Sequence, residues 1–177
     1  MAVDHDFPDN EWTADGPTAE REALVMHSVS GSCHCGNIRI DLELASEPAS
    51  YHPRACDCSF CRKHGAAYVS DAQGSVRIRI NEPDCSGRYR QGNALAEMLL
   101  CTRCGVLVGA LFRSEERTHA TVNVRVVEAS ADFGSEQTVS PQVLSADQKA
   151  SRWQELWFAD VEILEATGPV AGPDSSR

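Results

Sequence analysis

Seven of the eight cysteines in this chain stand at short, fixed spacings, and thiols so placed are ligands for a soft divalent ion or partners in redox exchange. Cys33-His34-Cys35 offers one pair of sulfurs, and Cys101-Thr102-Arg103-Cys104 offers a second pair far downstream. A glycine follows each pair directly, Gly36 and Gly105, where a tight turn calls for a positive φ that glycine adopts without strain. Two such turns facing one another make a four-thiolate set, the ligation of a closed structural zinc site with sulfur at about 2.3 Å. Inert core thiols would explain burial but not a turn pattern that occurs twice.

Cys56-Asp57-Cys58-Ser59-Phe60-Cys61 differs, with three sulfurs inside six residues. Three ligands leave one tetrahedral position for water, a substrate thiol or a carbonyl oxygen, as in a catalytic zinc site. Three thiolates on a divalent ion carry a formal charge of about −1. The adjacent Arg62 and Lys63 can offset it or, with Arg54, hold a substrate's carboxylates. His64 is the candidate proton carrier or orienting group beside the cluster. An alternative stays open, in which His64, Asp57 or Cys85 supplies a fourth ligand and closes a second structural site. Both Cys58-Ser59-Phe60-Cys61 and Cys101-Thr102-Arg103-Cys104 are also C-x-x-C, but neither lies at a βαβ junction, which disfavours thioredoxin-like chemistry. Cys85 reads as a spare thiol, His34 as pointing away from the metal, and His119 as a half-exposed strand residue.

Strands must position these turns. Ile38, Ile40, Leu42 and Leu44 alternate with Arg39, Asp41 and Glu43, the period-two pattern of a strand with one wet face. Val76 to Ile80 and Thr121 to Val126 alternate likewise, and Val106 to Phe112 is a short apolar run suited to a buried strand. Turns at Gly74, Gly87, Gly92 and Gly105, without long helical patterns between them, favour antiparallel sheets. Ser145 to Phe158 predicts one short helix with Ala146, Ala150, Trp153 and Trp157 on a face, and Val161 to Leu164 a final strand.

The chain has 177 residues, 42% of them hydrophobic, enough to bury the core of one domain. The expected division is an acidic flexible extension over 1–27, a zinc-binding domain over 28–166 and a disordered tail over 167–177. A formal net charge of −10 argues against a nucleic-acid-binding surface or attraction to anionic lipid. Asp4, Asp6, Asp9, Glu11 and Asp15 occupy the start, where an export signal would be basic and then apolar. No stretch approaches the roughly 18 consecutive apolar residues of a membrane span. A reducing, cytoplasmic setting is therefore expected, where paired thiols bind metal rather than form disulfides.

The ordered series Gly31-Ser32-Cys33-His34-Cys35-Gly36, Cys56-Asp57-Cys58-Ser59-Phe60-Cys61-Arg62-Lys63-His64-Gly65 and Cys101-Thr102-Arg103-Cys104-Gly105 resembles the glutathione-dependent formaldehyde-activating family. The similarity runs from about Ser28 to Val127, and the three-part order is far more specific than any single C-x-C. The resemblance implies a mainly β fold of the β-tent (Mss4-like) type, built of coiled antiparallel sheets with at most a short C-terminal helix. It implies a structural zinc on Cys33, Cys35, Cys101 and Cys104 and a catalytic zinc on Cys56, Cys58 and Cys61. The implied activity joins or splits a small thiol, glutathione or similar, and formaldehyde or another aldehyde, as a carbon–sulfur lyase. The competing reading is a non-catalytic zinc module that carries a thiol or binds a protein partner.

Overall fold

In a computed structural model the chain is described over residues 25–128 and 131–166. Most of the expected extension and all of the expected tail lie outside these residues. The first sheet starts from the strand pattern that is clearest in the sequence. In β2 (Ile38–Leu44) the four aliphatic residues Ile38, Ile40, Leu42 and Leu44 are fully buried, while Arg39 between them is exposed. β1 (His27–Ser32) and β5 (Ser75–Ile80) flank it antiparallel, and β5 adds Val76, Ile78 and Ile80 to the same buried face. β11 (Asp160–Glu165) closes the edge beside β5. On the wet face Arg77 meets Asp160 and Glu162 at 2.9 Å each, and Arg79 meets Asp41. Exposed pairs of this kind contribute at most about 1 kcal/mol each, so they fix register more than they stabilise.

The second sheet holds the remaining strands: β3 (Arg54–Cys56), β4 (Ala67–Val69), β6 (Ser86–Arg90), β7 (Ala96–Cys101), β8 (Leu107–Arg113), β9 (Thr118–Asn123) and β10 (Gln137–Val139). Their order is β10-β3-β4-β9-β8-β7-β6. β8 is buried along all but its last residue, as the apolar run predicts. Among the described residues only two α-helices occur, α1 (Ser59–Lys63) and α2 (Ala146–Leu156), so the chain is mainly β, in the β-tent arrangement that the resemblance implies.

Four local expectations are refined. Each sheet takes one parallel edge strand, β11 on β5 and β10 on β3, because both strands return by long connections and not by hairpins. The strand expected over 121–126 stops at Asn123, whose side-chain oxygen accepts from the Arg125 N–H at 3.2 Å and turns Val124–Val126 into a 3-10 turn. Gly87 lies inside β6 and not in a turn. α2 begins at a Ser145–Gln148 capping box, and its packed side carries Ala150, Trp153 and Leu156, leaving Ala146 exposed. The chain leaves the helix at Trp157, which is extended and buried.

The sheets meet where Gly31 bridges Val127 and Ala120 bridges Phe158. At Gly31 a Cβ atom would stand 2.1 Å from the Val126 carbonyl oxygen, a backbone atom with little freedom to yield. Gly31→Ala is therefore expected to cost about 2–4 kcal/mol, read as a lower urea midpoint at unchanged slope. A midpoint within error of the parent would show that this junction yields freely.

Candidate metal centres and cavity

The Cys33–Gly36 turn joins β1 to β2 in the first sheet, and the Cys101–Gly105 turn joins β7 to β8 in the second. Each turn closes through the N–H of its positive-φ glycine, over three residues in one and four in the other. Gly36 N–H donates to Cys33 O at 2.9 Å with φ 73°, and Gly105 N–H donates to Cys101 O at 2.8 Å with φ 75°. Facing each other across the sheets, they bring the sulfurs of Cys33, Cys35, Cys101 and Cys104 within 4.8 Å of one another. The Cys33–Cys35 and Cys35–Cys101 separations are 3.7 and 3.5 Å. Sulfurs around a tetrahedral ion at about 2.3 Å stand about 3.8 Å apart, so the set has the size of a metal cage. These distances exclude disulfides, which require about 2.05 Å, and all eight cysteines are free.

The electrostatics of this cage also fit a cation. Burial pushes the Cys101 thiol up to about 12 and raises Cys33. Burial acts upward on Cys104 as well, but N–H donors of Val106 and Cys35 and the neighbouring thiols outweigh it and bring Cys104 down to about 6. Four thiolates packed this closely repel one another, and a divalent ion removes that cost. Cys85 stands outside the cage, half-buried, with Arg103 Nη2 3.6 Å from its sulfur.

The second cluster is built by the end of β3 and the start of α1. Cys56 is the last residue of β3, Cys58 is the N-cap of α1, and Cys61 is on its buried side. The three sulfurs lie within 4.8 Å of each other, and no fourth Cys, His, Asp or Glu among the described residues joins them. The fourth-ligand alternatives lie outside the set: Asp57 accepts from Ser140 through Oδ2 while its buried Oδ1 is unpartnered, His64 packs its ring on Phe60 at 4.6 Å, and Cys85 lies beside Arg103. Cys58 accepts from the Cys61 N–H and from Gln91 Nε2, both at 3.4 Å, and the Tyr68 hydroxyl lies 3.2 Å from the Cys61 sulfur. Hydrogen bonding from the Cys61 thiol brings Cys56 down to about 6 against the effect of burial, while the same contact and burial push Cys61 up. Burial and then the sulfur charge beside it raise the Tyr68 phenol.

This cluster opens onto a cavity of about 560 Å³ walled by β3, the β6–β7 turn, β7, β8 and α2. Arg54 lines it, two residues before Cys56 and so on the same strand face. Its Nη2 donates to Ser70 Oγ at 2.5 Å, and Ser70 donates in turn to Leu156 O at 2.7 Å, which ties the arginine to the end of α2. Burial and then the Arg152 charge draw the Arg54 guanidinium down from its ordinary value. Arg62 and Lys63 do not line the cavity; both are exposed on α1. With Cys61 turned inward, each following residue rotates about 100° around the helix, which carries these two outward. His64 is also absent from the cavity wall, and His119 is buried rather than half-exposed, with Nδ1 unpartnered.

Lys149, Arg152, Gln91 and Tyr68 are cavity residues that sequence reasoning missed. Lys149 and Arg152 had a legible signal, since they share a helix face with Trp153 and Leu156 at i, i+3, i+4 and i+7. Gln91 and Tyr68 had none, because their roles depend on strand pairing.

A sequence profile described as glutathione-dependent formaldehyde-activating enzyme matches residues 28–145, and the chain belongs to that family. A crystal structure of a Rhodobacter sphaeroides protein, solved as a structural-genomics target, is 31% identical with a TM-score of 0.46, covering 62% of this chain and 99% of that one. No helix among the described residues is long and apolar enough to cross a membrane.

Proposed function

We propose that the chain is a zinc-dependent carbon–sulfur lyase that forms or cleaves the adduct of a small anionic thiol, glutathione or similar, with formaldehyde or another aldehyde. The observation that carries this is a three-sulfur cluster that no fourth Cys, His, Asp or Glu among the described residues joins, opening onto a cavity with Arg54, Lys149 and Arg152 in its wall. Cys33, Cys35, Cys101 and Cys104 would hold a structural zinc, and Cys56, Cys58 and Cys61 a catalytic one. Bound there, zinc supplies a lowered pKa to a thiol and polarisation to a carbonyl.

The chain's own residues do the rest. Gln91 and the Cys61 N–H fix the Cys58 sulfur, and Tyr68 fixes Cys61. The cavity-wall cations receive the thiol's carboxylates, and Arg54 is held for this by Ser70. In the reaction the thiol S–H adds across the aldehyde C=O: a carbon–sulfur bond forms, and the proton ends on the oxygen. Cleavage is the reverse. Domain limits of 28–166 and a cytoplasmic setting belong to the same proposal.

The adduct also forms unaided, so the test is a rate comparison. In NMR exchange spectroscopy of formaldehyde with glutathione, the protein is expected to raise the exchange rate above buffer, and chelator treatment to return it to the buffer rate. Equal rates in all three samples reject the lyase for this pair. Acceleration with a different cellular thiol would keep the reaction class and change only the substrate.

A further inference from the structure

α2 lies immediately beyond the residues matched by the family profile, which end at 145, yet it supplies five residues of the cavity wall: Lys149, Arg152, Trp153, Leu156 and Trp157 at its end. Formaldehyde is one carbon and one oxygen, and it needs neither this volume nor an aromatic surface. Trp153 is half-buried and stacks on Trp157 at 4.8 Å, with its edge against Phe112 at 5.4 Å. The stack therefore holds Trp153 rigidly as part of the wall. Met98 packs against two buried clusters, the one that contains Cys61 and Tyr68 and the one that contains Phe112 and Trp157, so an apolar track joins the three-sulfur cluster to the tryptophans.

The cations give the complementary half of the pattern. Arg54, Lys149 and Arg152 have no carboxylate within ion-pairing distance among the described residues, in a chain whose net charge is −10. Arg54 and Arg152 are close enough for each other's charge to matter, an arrangement that costs energy until an anion enters. The three-thiolate cluster with a divalent ion carries only about −1, which leaves net positive charge for a ligand.

We infer that α2 selects the substrate of the proposed lyase: an anionic thiol joined to an aldehyde that carries an apolar chain or ring, the anion held by Arg54, Lys149 and Arg152 and the apolar group laid along Met98 onto Trp153. This rests on the lyase reading of the same site, but its test reads binding. S-benzylglutathione imitates the carbon skeleton of an adduct with an aromatic aldehyde, and S-methylglutathione imitates the adduct with formaldehyde.

In isothermal titration of the metal-loaded full chain, S-benzylglutathione is expected to bind at least about tenfold more tightly than S-methylglutathione. Trp153→Ala is expected to abolish that ratio, and Arg152→Gln with Lys149→Gln to weaken both ligands about equally and flatten their salt dependence. Equal affinity of the two ligands for the parent chain overturns the inference, and needs no variant to fold. A ratio that survives in a folded Trp153→Leu chain overturns the role of Trp153. If exchange of formaldehyde with glutathione is accelerated while the two ligands bind alike, the lyase stands and this inference alone falls. If the ratio is found but no aldehyde is exchanged, the lyase falls and the selective anion site stands.

Discussion

Replacing Cys101 with serine is expected to unfold the protein at physiological temperature and to release one equivalent of metal. The reason is topological: the Cys33–Gly36 turn belongs to one sheet and the Cys101–Gly105 turn to the other, so an ion held by the four sulfurs would tie the two sheets together in addition to their packing and bridges. A serine hydroxyl stays protonated at neutral pH, so it cannot replace a thiolate ligand. It would also be fully buried at this position. Structural zinc in small domains supplies about 10–16 kcal/mol of apparent binding energy, and whole domains are stable by only about 5–15 kcal/mol. Even partial loss of the site, on the order of 5 kcal/mol, consumes most of that margin. Metal content by plasma mass spectrometry and the thermal transition by circular dichroism read the two effects. Cys85→Ser is the matched control, a half-buried thiol outside the cage, expected within about 0.5 kcal/mol of the parent. A Cys101→Ser chain with the parent's melting temperature and metal content would remove the cage from its structural role.

How much of this was legible in the sequence follows from the range of the forces involved. Spacing within a turn is local, so Cys33-x-Cys35-Gly36 and Cys101-x-x-Cys104-Gly105 announced both the sulfurs that converge and the positive φ that their turns adopt. Alternation announced β2 and β5, whose buried faces are unmixed. Short strands such as β3 and β10 carry three residues each and depend on pairing with distant chain, so no local pattern marks them. Arg62 and Lys63 illustrate the same limit in the site: adjacency to a ligand in sequence says little about direction when one helical turn separates inside from outside. Lys149 and Arg152 arrive from far down the chain, and only the fold shows that α2 faces the sulfurs.

Cys58→Ser is the change expected to separate chemistry from folding. Cys58 caps α1 by accepting the Cys61 N–H, and serine is among the best residues at that position, so the helix start is preserved. The open cluster joins β3 to α1 inside one sheet layer and bridges no two sheets, so its loss leaves the sheet-to-sheet cage intact. What disappears is one of three sulfurs, together with the Gln91 contact that orients it. A serine oxygen that remains protonated contributes little to holding a soft divalent ion, and two thiolates that no other donor among the described residues supplements do not retain it well. The expected result is a folded chain with a melting temperature within a few degrees of the parent. Its metal content should fall by one equivalent, and thiol–aldehyde exchange should fall to the buffer rate. The contrast with Cys101→Ser is the content of the prediction: similar chemistry removed from two clusters, with folding lost in one case and turnover in the other. Exchange that persists at the parent's rate in Cys58→Ser would disconnect the three-sulfur cluster from the reaction and leave the cavity as a binding site only.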